Sequence, residues 1–80
     1  MSDFSHLTRT INAIPVYIHE ALEARGLLDA YHARPAYQQN DYLGWIERAR
    51  RPETKEKRLN QMLNELEKGG VYMRMKWQPK

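Results

Sequence analysis

Residues 52–70, "PETKEKRLNQMLNELEKGG", are bounded by a proline in front and two glycines behind. Those boundaries leave the chain few choices. Pro52 has the φ of a first helical turn and lacks only an N–H that no intrahelical acceptor would use there. Gly69–Gly70 offers a left-handed stop at no steric cost. Between them Leu59, Met62, Leu63 and Leu66 recur at three- and four-residue intervals. The pattern predicts a helix from Pro52 to Lys68 with one apolar stripe, which the rest of the chain must cover.

Other punctuation divides that remainder. Pro15 suits a helix start and Gly26 a helix end, with Ile18, Ala21 and Leu22 sharing a face between them. "LLDAY" offers Leu27, Leu28 and Tyr31 before Pro35 interrupts. "AYQQNDYLGWIERAR" aligns Tyr42, Trp45, Ile46 and Ala49, so Trp45 is read as a core residue rather than a ligand platform. Gly44 inside that segment costs roughly 1 kcal/mol relative to Ala, which a close approach by another helix would explain. Phe4, Leu7, Ile11 and Ile14 permit a short leading helix. After the glycines, "VYMRMKW" alternates as a strand does but has no evident partner, so it is expected to be an extended tail packed on the helices.

The expected fold is therefore all-α, a small bundle of three to four helices with an extended C-terminal tail. Its parts are a lead segment at 1–13, a helical domain at 14–70 and the tail at 71–80. Eighty residues allow one core, which removes about 60% of the unfolded chain's surface from water.

Composition excludes several functions. There is no cysteine, so neither a disulfide framework nor a thiolate metal site is available. No run approaches the length of a membrane helix, and the N-terminus has no basic region followed by an apolar run of the secretory kind, so cytoplasm is the expected location. Ser2 and Ser5 are the only serines, both near a chain end, and no glycine-rich phosphate loop precedes a helix. His19 and Glu23 stand four apart, but without a second His they read as a surface pair rather than metal ligands. A non-catalytic protein without cofactor or metal is expected.

The charge is more informative. The net charge is +3, yet residues 1–40 carry three Arg against four Asp or Glu, while 41–80 carry ten Lys or Arg against six acids. The excess centres on "RARRPETKEKR", residues 48–58. Much of it has a structural reading. Glu53 falls in the first turn near the positive end of the helix dipole, Glu53 and Lys57 are four apart in the better orientation, and Arg48, Arg50 and Arg51 end the preceding helix. The same stretch also brings Arg48, Arg50, Arg51, Lys55, Lys57 and Arg58 together as candidates for an anion or a partner.

"DYLGWIERARRPETKEKRLNQMLNEL" resembles the signature of the YdeI/OmpD-associated, or bacteriocin-protection, family. The resemblance rests on Tyr42, Trp45, Ile46, Ala49, Arg50, Glu53, Thr54, Lys55 and Arg58, and upstream on Ile14, Pro15, Ala21, Leu22 and Tyr31. It covers roughly residues 14–68. It implies no catalytic residues and points to a module acting through a protein or peptide partner in stress or bacteriocin protection. The alternative is a nucleic-acid or polyanion binder using the basic stretch at 48–58, with salt-sensitive affinity.

Overall fold

The computed structural model describes residues 13–77. Helix α1 is Val16–Ala24, α2 is Leu28–Ala33, α3 is Ala36–Glu47 and α4 is Pro52–Lys68, followed by two short strands, β1 at Val71–Tyr72 and β2 at Met75–Lys76. The small all-α domain is as the sequence indicates, and α4 has the expected bounds. The leading helix read from Phe4, Leu7 and Ile11 lies outside the described residues.

Each helix boundary has a local cause. Pro15 sits just before α1 in an extended conformation, and its carbonyl accepts from Ile18 and His19. At the far end Gly26 takes φ +67 while Leu27 N–H donates to Leu22 and Gly26 N–H to Glu23. Those crossed bonds form a Schellman motif and satisfy the carbonyls that the helix end would leave open. Arg34 precedes Pro35 and is driven into the extended region, which ends α2. Gly69 closes α4 with φ +79, its N–H donating to the Glu65 carbonyl at 2.9 Å.

The apolar stripes meet in one core. Ile18 and Leu22 of α1, Tyr31 of α2, Tyr42 and Ile46 of α3 and Met62 of α4 are fully buried. Each such side chain contributes about 1.5–3 kcal/mol relative to exposure. Helix α3 packs along α4, α1 against α2, and α2 also touches α4. Three expectations for α3 need adjusting. It ends at Glu47, with Ala49 buried just beyond, and Trp45 is only half-buried at the margin of the core. Nor does Gly44 admit a neighbouring helix: a Cβ there would meet Nη1 of Arg48, which folds back over it.

The segment after Gly70 departs most from expectation. It is not a single extended tail but an antiparallel hairpin pairing Val71 with Lys76 and Tyr72 with Met75. Its two-residue turn places Met73 at φ 49 and Arg74 at φ 66, the left-handed pair that a type I′ turn requires. Glycine or asparagine normally occupies such positions, because each L side chain there costs roughly 1–2 kcal/mol. Contacts from outside the hairpin must therefore hold it.

Candidate functional site

Those contacts come from a buried polar group. Arg34, Gln38 and Glu65 are each no more than 5% exposed. The Glu65 carboxylate accepts four hydrogen bonds, two on each oxygen. Oε1 receives the Tyr42 hydroxyl at 2.5 Å and the Met73 N–H at 2.8 Å. Oε2 receives the Arg74 N–H at 2.9 Å and Gln61 Nε2 at 3.0 Å. The two strained turn residues thus both donate to one carboxylate. Charge-assisted bonds of this kind are about twice as strong as neutral ones, which offsets the backbone cost.

Arg34 fastens the other end of the hairpin. One terminal nitrogen donates to the Gln38 amide oxygen at 3.0 Å, and the other to the carbonyls of Glu65 at 3.1 Å and Val71 at 2.8 Å. Its guanidinium lies 4.5 Å from the centroid of the Trp77 ring. Burial raises the pKa of the tyrosines around this centre. Tyr31 is pushed up to about 12 by burial alone, and Tyr42 higher still by burial and then by its bond to Glu65.

Because the hairpin stands against α4, it walls off an open groove of about 840 Å³ along the helix. The floor is a second stripe on α4, polar where the first is apolar: Thr54, Lys57, Arg58, Gln61 and Lys68, again at helical spacing. Asn60 and Asn64 flank it. Trp45 from α3 and Val71 and Arg74 from the hairpin complete the lining. Arg58 lies 5.3 Å from the Trp45 ring centroid and donates to the Trp45 carbonyl at 2.6 Å. Arg74 Nε donates to Gln61 Oε1 at 3.1 Å.

The six cations read from the sequence are divided by this arrangement. Lys57 and Arg58 face the groove. Lys55 lies on another side of α4, 4.0 Å from Glu47 and 5.7 Å from the ring centroid of Tyr17, whose hydroxyl donates to Glu47. Arg48, Arg50 and Arg51 are exposed in the turn between α3 and α4. Away from the groove, His19 Nδ1 stands 3.5 Å from Glu23, the surface pair expected from its spacing. Gln61, Asn64, Lys68 and Arg74 were not singled out from the sequence. The first three follow from extending the spacing of Lys57 and Arg58 along the helix, whereas Arg74 depends on the hairpin.

A model of the family described as bacteriocin-protection, YdeI or OmpD-associated matches residues 13–69. The chain belongs to that family. Neither a curated protein nor a solved structure matches it. The part that matches the bacteriocin-protection, YdeI or OmpD-associated family runs from before α1 to the glycine that closes α4, and the hairpin lies beyond it. Trp45, Thr54 and Arg58, three of the residues on which the family resemblance rests, meet at the groove. No helix among the described residues is long and apolar enough to cross a membrane.

Proposed function

We propose that this protein is a non-catalytic docking module that receives a peptide segment of a protein partner in the groove along α4. The supporting observation is the construction of the groove itself. Three elements wall it, a half-buried tryptophan lies in its lining, and its amide side chains keep a second N–H and a second oxygen lone pair beyond the bonds that Gln61 makes with Glu65 and Arg74 and that Asn64 accepts from Arg25. That is what an extended peptide backbone needs, since each of its residues carries one donor and one acceptor. A non-catalytic role is supported by Glu65, the one carboxylate among the described residues that line the groove, whose oxygens are engaged by four donors. In this reading the protection named by the family is exercised in the cytoplasm, through the partner.

The test is amide NMR with short synthetic peptides of acidic, basic, neutral polar and apolar composition. At least one class is expected to shift the Trp45 indole and the side-chain amides of Gln61 and Asn64 in a saturable way. If no class does so, or if the shifts gather elsewhere, for example at the exposed Val16 and Tyr17, the groove is not the docking site.

A further inference from the structure

We infer that the segment this groove takes is acidic, an extended peptide carrying several Asp or Glu side chains that Arg58 and Arg74 read as carboxylates. This rests on the docking reading above and names its ligand class. Lys57, Arg58, Lys68 and Arg74 line the groove, and among the described residues that line it the single carboxylate is the buried Glu65, whose two oxygens each accept two hydrogen bonds. The unanswered charge of the groove is therefore positive.

Two of the cations are fixed in place. Arg58 is held by the Trp45 ring and carbonyl, and Arg74 by Gln61 through its side chain and Glu65 through its backbone. Among the described residues each guanidinium has one of its five N–H donors in a hydrogen bond, which leaves a planar fork for a ligand oxygen pair. Such positioning lowers the entropy that binding would otherwise cost. From Thr54 to Lys68 the helix rises about 21 Å at 1.5 Å per residue. An extended chain at about 3.3 Å per residue covers that length with about six residues.

A peptide fits better than a nucleic acid. Single strands bind by stacking bases on free aromatic faces, and the Trp45 ring is packed against the core and carries Arg58. Exposed Glu53, Glu56 and Glu67 on the same helix would stand close to any phosphate backbone laid across it. A narrow peptide can follow the cations while avoiding them.

The experiment titrates the intact protein with a peptide alternating Glu and Ser, with its Gln-for-Glu counterpart, and with a single-stranded oligonucleotide of matched charge. Each titration is run at low and near-physiological salt, with groove amides as the readout. The Glu peptide is expected to bind at the groove, and the Gln counterpart about tenfold or more weaker. Arg58→Gln and Arg74→Gln should each weaken the Glu peptide about tenfold, and Arg→Lys at either site should recover only part, because an ammonium lacks the fork. If Arg58→Gln loosens the fold, judged by circular dichroism, the pair Lys57→Gln and Lys68→Gln serves instead, with the same expected direction. Equal binding of the Glu and Gln peptides overturns the inference while leaving the docking reading standing. Absence of binding by any peptide class removes both. Tighter groove binding by the oligonucleotide at near-physiological salt overturns it in favour of a nucleic-acid interface.

Discussion

Tyr42 of α3 donates its hydroxyl to Glu65 of α4 at 2.5 Å, and the oxygen that receives it also accepts the backbone N–H of Met73 at 2.8 Å. One oxygen atom thus joins a helix–helix contact to a hairpin turn. Removing the phenol hydroxyl leaves that buried oxygen with the turn as its remaining donor. Tyr42→Phe is expected to cost about 1.5–3 kcal/mol, the range for a hydrogen bond to a charged group. Urea unfolding checks this, with a lower midpoint and an unchanged slope. A loss below a few tenths of a kcal/mol would mean the contact does not hold the fold.

Arg74 has two opposed roles, since its backbone sits at φ 66 while its side chain faces the groove. Glycine relieves the left-handed strain but adds freedom to the unfolded chain. Arg74→Gly should therefore stabilise the hairpin by up to about 1 kcal/mol. It should also weaken the acidic peptide. Thermal unfolding and peptide titration on the same sample separate the two. A variant that loses stability and keeps affinity would contradict both halves.

The sequence was most legible where a local signal suffices. Pro52 and Gly69 delimit α4, and the stripe through Leu59, Met62 and Leu66 fixes which face turns inward. Burial of Arg34 and Glu65 was not legible, because a charged residue at a helix end or within a helical pattern reads as surface. The acceptors of Arg34 lie up to 37 residues away, so only the assembled fold reveals the need for it. The hairpin escaped for a related reason. Met-Arg carries none of the usual turn chemistry, and its conformation is imposed by Glu65 from another element. Of the site, Lys57 and Arg58 were readable as charges, but the groove they line exists only once the hairpin stands beside α4.

Gly44 offers a stabilising change. Alanine there gains roughly 1 kcal/mol of helix propensity, and its Cβ would lie 3.2 Å from Nη1 of Arg48, the far end of a flexible chain that can move aside. Gly44→Ala is expected to raise stability by about 0.5–1 kcal/mol. A raised urea midpoint checks it, and a lowered one would show that the Arg48 position matters more than the helix backbone.

Alkaline pH should unfold the domain through its tyrosines. Tyr31 is pushed up to about 12, and Tyr42 and Tyr72 also stand above the ordinary value near 10, in each case chiefly through burial. Their folded pKa values exceed the unfolded ones, so the fold favours the neutral phenols. That contribution is complete below pH of about 10 and is lost as pH rises from there through the folded values. Helical circular dichroism and tyrosinate absorbance, followed together, should change in concert above that point. Ionisation of these three near pH 10 with intact helix content would contradict it.

The reach of Arg34 bears on when the groove exists at all. A two-stranded hairpin this short is not stable alone in water, and this one also carries two unfavourable turn residues. Its holders are a guanidinium from the α2–α3 junction and a carboxylate from α4, so it closes only after the helices have met. A chain with misplaced helices would lack one wall of the groove. The groove, and with it the docking proposed for it, is thereby made conditional on having finished folding.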